Sequence, residues 1–159
     1  MKKKIGLISI AAVVVILFLA GCTSNSQNND NSNTNTNSNS APQQNETEVR
    51  IPISDISTTA KFYSYDSNGV SVRYFAVKDK QGNVHVAFDA CDVCYEAKKG
   101  YRQNGDVMHC INCGKEFSIT SIGVENTAGG CWPSYLPMKI DGNDALIKIA
   151  DLESISYMF

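Results

Sequence analysis

Two cysteine pairs constrain the fold of this chain more than any other feature of its sequence. Cys91 and Cys94 form one C-x2-C pair, Cys110 and Cys113 form a second, and 15 residues separate the pairs. Another 17 residues separate the second pair from a fifth thiol, Cys131. Two intervening residues let a single turn present both sulfurs to one ion at about 2.3 Å. The spacing is typical of a four-thiolate metal site in a Cys-rich, ribbon or knuckle-like insert.

Disulfide bonds and redox exchange are the alternatives to a metal at these cysteines. Exported proteins meet oxidising conditions, in which neighbouring thiols commonly form disulfides. Lipidation of Cys22 would leave five cysteines, and an odd number leaves one thiol unpaired in a disulfide framework. A C-x2-C pair can also act in thiol–disulfide exchange. For a metal, the spacing does not separate iron from zinc, because tetrahedral sulfur ligation suits both.

The first 21 residues have the features of an export signal. Lys2–Lys4 precede an apolar run over 5–20 that is short for a bilayer span. Leu19-Ala20-Gly21-Cys22 resembles the lipobox of prokaryotic lipoproteins, in which the signal is removed and the cysteine sulfur receives diacylglycerol. We therefore predict a lipoprotein signal peptide over 1–21 and lipidation of Cys22, with an acyl anchor such as palmitate. An uncleaved N-terminal membrane helix is the alternative.

Residues 22–48 are expected to form a spacer between this anchor and the folded part. The stretch 23–48 is rich in Asn, Ser, Thr and Gln and has no aromatic side chain. Such a composition cannot bury enough apolar surface to offset the entropy of ordering, so we predict a disordered tether. The lipid and the tether would hold the rest of the chain at the extracytoplasmic face of the cell membrane.

The remaining residues, 49–159, are expected to form one domain that is mainly β, a small β-rich α+β fold of antiparallel hairpins. No window shows a helical apolar stripe, and Asp151 is expected at most to cap a short C-terminal turn. A hairpin over 101–109 would deliver the second cysteine pair to the insert. Alternation of apolar and polar side chains predicts the other strands, at 49–53, 61–65, 70–77, 84–88 and 145–149.

Charge and motif content exclude several functions. From residue 22 onward the chain carries 11 Lys and Arg against 16 Asp and Glu. This balance excludes a nucleic-acid partner, which requires a basic surface that displaces counterions from phosphate. The sequence has no Ser-His-Asp set, no informative carboxylate pair and no phosphate-binding glycine loop, so we predict no enzymatic activity.

Histidines and aromatic residues near the cysteines are weaker candidates. His109 precedes Cys110, but in a hairpin it would point away from its neighbours, so a copper site that includes it is disfavoured. His85 alternates with valines and is expected to face solvent. Aromatic side chains can exclude water from a metal centre, and five lie near the cysteines in sequence: Tyr95, Tyr101, Phe117, Trp132 and Tyr135.

A set of short segments carries a family resemblance. In chain order they are Phe88-Asp89-Ala90-Cys91-Asp92-Val93-Cys94, Lys99-Gly100-Tyr101, Cys110-Ile111-Asn112-Cys113-Gly114, Ile122-Gly123, and Gly129-Gly130-Cys131 with Pro133. Together they resemble the FtrD-like membrane iron-sulfur protein family over most of 49–159. Trp132 stands where the family pattern is expected to have Asn. The multi-span membrane part of some members is replaced here by the predicted lipid anchor.

The resemblance implies an iron-sulfur cluster, with zinc as the alternative cofactor. It implies an electron carrier that acts beside an iron permease or a ferrous-iron oxidation system. With zinc, the metal would only stabilise the insert of a binding module. Gly114, Gly129 and Gly130 are implied as positions of close backbone approach. The implied ligand candidates are all five thiols, Cys91, Cys94, Cys110, Cys113 and Cys131.

Overall fold

The computed structural model describes residues 42–159, in which β-strand is the dominant regular structure, as the sequence predicts. The predicted signal peptide, Cys22 and most of the predicted tether lie outside the described residues. A short helix, α1 (Ile149–Ser154), follows the last strand. The strands are β1 (Gln43–Gln44), β2 (Glu48–Pro52), β3 (Lys61–Ser67), β4 (Val70–Lys78), β5 (Val84–Cys91), β6 (Tyr101–Asn104), β7 (Val107–Cys110), β8 (Glu116–Ser118), β9 (Pro133–Tyr135), β10 (Lys139–Asp141) and β11 (Asp144–Lys148).

Both ends of the folded part differ from the sequence prediction. The strand β1 lies inside the segment predicted as tether, where Gln43 pairs with Arg50 and Gln44 with Val49. Backbone pairing to an existing strand needs no apolar side chain, so composition does not reveal it. At the other end, α1 begins at Ile149 after Lys148, and Asp151 lies in its first turn and is not the cap.

The middle layer of the fold is an antiparallel sheet in the order β3-β4-β5-β9. Its first hairpin turns at Asn68 and Gly69, which both have positive φ values of 52° and 87°. Two successive residues with positive φ match the tight turn that Asn-Gly favours, because its twist suits the flanking strands. The two faces of β4 are both buried, which explains its nearly continuous apolar sequence.

Each face of the middle sheet packs against a different layer. One face, with Val72 and Tyr74, packs against the sheet β1-β2-β11-β10 and helix α1. The opposite face, with Phe75 and Val77, packs against the three-stranded sheet β6-β7-β8. The alternation of side chains along β4 therefore builds two separate apolar cores. The second core contains the cysteines.

The prediction that His85 faces solvent is wrong, since only 14% of its side chain is exposed. The face of β5 that carries His85 is covered by the segment around Ile122 and by the β4–β5 turn, which both contact the imidazole. The Nε2 atom lies 3.1 Å from Oδ2 of Asp79, and Nδ1 lies 2.9 Å from the carbonyl oxygen of Ile122. His85 therefore connects the β4–β5 turn to the segment that leads towards Cys131.

Candidate metal centre

The first C-x2-C loop begins where a strand of the middle sheet ends. Cys91 is the last residue of β5 and is buried, and Cys94 follows at the start of a 3-10 helix over Tyr95–Ala97. Lys98 ends this helix with a φ of 52°, which reverses the chain towards β6. The strand thus positions Cys91 rigidly, and the turn brings Cys94 back beside it.

The second C-x2-C loop ends the β6–β7 hairpin that the sequence predicts over 101–109. Cys110 is the last residue of β7 and is buried, whereas Cys113 is exposed. The N–H of Gly114 donates to the carbonyl oxygen of Cys110 at 2.9 Å. Gly114 has a φ of 78°, a conformation that favours glycine and closes this tight loop.

Pairing between two strands that are far apart in the sequence places Cys131 beside the first C-x2-C loop. It lies two residues before Pro133, the first residue of β9, and Pro133 pairs with Cys91. The N–H of Asp92 donates to the carbonyl oxygen of Trp132 at 3.0 Å, which continues this contact past the strand end. The fifth thiol is therefore held next to the first C-x2-C loop.

Four sulfurs converge at this point of the structure. The Sγ atoms of Cys91, Cys94, Cys110 and Cys131 all lie within 4.8 Å of one another. They come from three segments separated by up to 40 residues, and two of the four residues are buried. Four thiolates around one ion at about 2.3 Å are about 3.8 Å apart, so this arrangement can hold a metal.

Cys113 and His109 lie outside this group of four. The two C-x2-C pairs suggested a site from those four thiols, but the structure places Cys131 in the group and leaves Cys113 exposed at its edge. The Sγ atom of Cys113 is 3.1 Å from that of Cys131. His109 contacts Glu116 on the neighbouring strand, with Nδ1 and Oε1 3.5 Å apart.

The electrostatics of the group favour a bound cation. Burial raises the pKa of the Cys131 thiol, and the neighbouring Cys91 and Cys113 raise it further. Burial also acts to raise the pKa of Cys91, but hydrogen bonds from Cys131 and from the N–H groups of Val93 and Cys94 lower it to about 7. Crowded thiols cannot all ionise without compensation, whereas a metal ion stabilises every thiolate and releases the protons.

Aromatic side chains cover one side of the sulfur group. Tyr101 and Phe117 meet edge to face at 6.1 Å between ring centroids, and Phe117 and Trp132 do so at 5.2 Å. Tyr95 lines a small cavity together with Cys91, Cys94 and Cys110, and it also packs against the first core and Tyr157. The remaining aromatic candidate, Tyr135, lies elsewhere and lines a small cavity beside His85.

Two of these aromatic side chains carry buried hydrogen-bond donors. The Tyr101 hydroxyl and Nε1 of Trp132 are buried and have no nitrogen or oxygen partner. Burial raises the pKa of Tyr101, and the adjacent Cys91 raises it further, so this hydroxyl keeps its proton. Sulfurs of metal-bound thiolates accept such hydrogen bonds, and these bonds tune the metal. The Tyr101 hydroxyl, beside Cys91, is therefore suited to donate to a thiolate-bound metal centre.

Two carboxylates that the sequence did not predict as site residues organise the cysteine loops. Asp89, with 8% of its surface exposed, accepts a hydrogen bond from the N–H of Tyr101 at 2.6 Å and pairs with Arg73 at 3.1 Å. Burial raises the pKa of Asp89, and these two bonds counteract the rise. Asp89 thus connects the strand of Cys91 to the hairpin of Cys110.

The second carboxylate, Asp92, lies inside the first C-x2-C loop and fixes the segment of Cys131. Its Oδ1 accepts a hydrogen bond from Oγ of Ser134 at 2.6 Å, and its Oδ2 accepts one from Nδ2 of Asn126 at 2.9 Å. The position of Asp92 between two cysteines could have identified it as a site residue from the sequence. Its hydrogen-bond partners could not be identified in this way, because they lie 34 and 42 residues away.

The fold and the site define a small antiparallel β protein with a thiolate metal-binding site. Residues 53–159 match the family model described as membrane iron-sulfur containing protein, FtrD-like. The chain belongs to this FtrD-like family, which confirms the resemblance noted in the sequence. No curated protein and no solved structure matches the chain. The family is described as a membrane protein family, and within 42–159 no helix is long and apolar enough to cross a bilayer.

Proposed function

We propose that the protein is a lipid-anchored electron carrier at the extracytoplasmic face of the cell membrane, with an iron–sulfur centre as its redox group. The observation that carries the metal centre in this proposal is the convergence of four sulfurs within 4.8 Å from three chain segments. Family membership supports iron as the metal. The lipobox-like residues ending at Cys22 support the anchor.

The chain's own residues define what such a centre would do. An iron–sulfur centre supplies a one-electron couple whose potential depends on ligands, hydrogen bonds and exposure to solvent. Cys91, Cys94, Cys110 and Cys131 would hold the iron, and Tyr101 would donate to a sulfur. We propose no catalytic residue, and the electron partners would be an iron permease or a ferrous-iron oxidation system in the same membrane.

A zinc-stabilised binding module is the second candidate, because the sulfur group is compact. Ligands of a multi-iron cluster bind different iron atoms and are spread further apart than the ligands of one ion. A spacing within 4.8 Å is closer to that of a single tetrahedral ion. A closed four-cysteine zinc site is structural, so the function would then lie on the protein surface.

Metal analysis and visible spectroscopy separate the two candidates. We expect the full chain, purified in detergent without oxygen, to contain iron and to be coloured, and we expect dithionite to bleach the colour. A colourless protein with one zinc ion per chain would contradict the electron-carrier proposal and establish the binding module.

Two neighbouring substitutions test the ligands. Cys110→Ser removes a buried member of the sulfur group, and we expect the metal content to fall to background. His109→Ala changes the adjacent residue, which lies outside the group, and we expect its metal content to equal that of the wild type. Equal loss of metal in both variants would refute the ligand set.

A further inference from the structure

Cys113 differs from the other four thiols of the folded part in two respects. It is exposed, whereas Cys91 and Cys110 are buried and Cys94 and Cys131 are half-buried. It is also not a member of the group whose sulfurs all lie within 4.8 Å of one another. A tetrahedral centre has four positions, and the group provides four sulfurs without Cys113.

The sulfur of Cys113 nevertheless contacts a member of that group. Its Sγ atom lies 3.1 Å from Sγ of Cys131, and Cys131 also lies 2.9 Å from Sγ of Cys91. Of these two neighbours of Cys131, only Cys113 is open to solvent, since 3% of Cys91 is exposed. Cys113 is the one exposed thiol of these five, so an oxidant from solvent reaches it most readily, and Cys131 is the group member whose sulfur lies 3.1 Å away.

We propose that Cys113 is an oxidation site that releases the metal by forming a disulfide with Cys131. The proposal rests on the proposed metal centre and adds a means of regulating it. The oxidant would be a peroxide, and a dithiol reductant would restore the site. Because Cys131 is one of four sulfurs of the group, its loss to a disulfide leaves three and weakens metal binding.

The chemical steps balance with one peroxide per disulfide. The sulfur of Cys113 attacks one oxygen of hydrogen peroxide, the O–O bond breaks, and the products are a sulfenic acid and one water. The thiolate of Cys131 then leaves the metal and attacks the sulfenic sulfur, the S–O bond breaks, and the departing hydroxide takes a proton from solvent to form a second water. Two thiols lose two electrons, and the peroxide gains them.

The test is peroxide-induced metal release from the full chain in detergent, loaded with Zn²⁺ so that the metal itself is not oxidised. A chromophoric chelator measures the release, and mass spectrometry of peptides identifies the disulfide. We expect Cys113→Ser to bind Zn²⁺ as the wild type does and to release it about 10-fold more slowly, since the exposed thiol is absent. Val93→Ser, an exposed change in the other C-x2-C loop, should behave like the wild type.

Three outcomes would overturn the proposal. They are loss of Zn²⁺ binding in Cys113→Ser, equal release rates in that variant and the wild type, and a disulfide between Cys91 and Cys131 in place of the expected one. Failure of the electron-carrier proposal can be distinguished from failure of this one. In that case the purified protein would contain no iron, but the rates of Zn²⁺ release would be unaffected. If the wild type binds no metal at all, both proposals are refuted.

Discussion

Among the glycines within 42–159, Gly100 should tolerate substitution least. It precedes Tyr101 and has a φ of 68°, which L side chains rarely adopt. A Cβ atom at this position would lie 2.5 Å from Oδ2 and 2.6 Å from Cγ of Asp89, and closer still to Oδ1. Real Cβ atoms do not approach other atoms this closely, so either the carboxylate or the backbone must move.

The expected cost of Gly100→Ala follows from two contributions. Left-handed backbone costs a residue with a Cβ atom about 1–2 kcal/mol. Displacement of the Asp89 carboxylate breaks its 2.6 Å hydrogen bond with the N–H of Tyr101, and a buried bond to a charged group contributes about 1.5–3 kcal/mol. The ion pair between Arg73 and Asp89 adds little, because the Arg73 side chain is 36% exposed and solvent screens the interaction. We expect a loss of about 2.5–5 kcal/mol in the free energy of unfolding.

Gly105→Ala is the matched control. Gly105 has a φ of 59°, but no atom lies within 4 Å of the position its Cβ would take. Only the backbone contribution remains, about 1–2 kcal/mol. The assay is urea unfolding of the full chain in detergent, reduced and without metal, followed by fluorescence of Trp132, the single tryptophan. If the two variants lose the same stability, the contact with Asp89 does not support the β6–β7 hairpin.

Two further predictions concern other carboxylates. Asp92→Ala removes the hydrogen bonds to Ser134 and Asn126 that hold the segment of Cys131. We expect the Zn²⁺ affinity, measured by competition with a chelator, to fall about 10- to 100-fold. Unchanged affinity would show that strand pairing alone positions Cys131. Hydrogen bonding from Asn83, with further bonds from His85 and backbone N–H groups, lowers the pKa of Asp79 from 3.8 to about 2 against the opposing effect of burial. This carboxylate therefore stabilises the fold above about pH 4, and the contribution disappears as the pH falls towards 2. Melting temperatures of Asp79→Asn should decline less than those of the wild type over that interval, and parallel declines would contradict the assignment.

Much of the strand content could be predicted from the sequence because alternation is a local property. The predicted strands 70–77 and 84–88 correspond to β4 and β5, and the hairpin over 101–109 corresponds to β6 and β7. The short strands β8, β9 and β10 were not predicted. Each has three residues, too few for a periodic pattern, and forms only because a partner strand is already in place.

The candidate site could likewise be predicted only as far as it depends on residues close together in the sequence. The C-x2-C spacing indicated a thiolate site, since two residues are enough to place both sulfurs on one turn. It could not decide which thiol of five stays outside the group of four. That choice depends on the pairing of β9 with β5, which carries Cys131 to Cys91 across 40 residues.

The sequence by itself determined the β character of the folded part, the presence of a sulfur-rich site and the family, because these follow from spacing and alternation along the chain. Only the tertiary structure decided that Cys131 joins the group and Cys113 stays exposed, that Asp89 and Asp92 fix the loops, and that His85 is covered. Each of these depends on contacts between strands far apart in sequence, and no local pattern specifies which strands become neighbours.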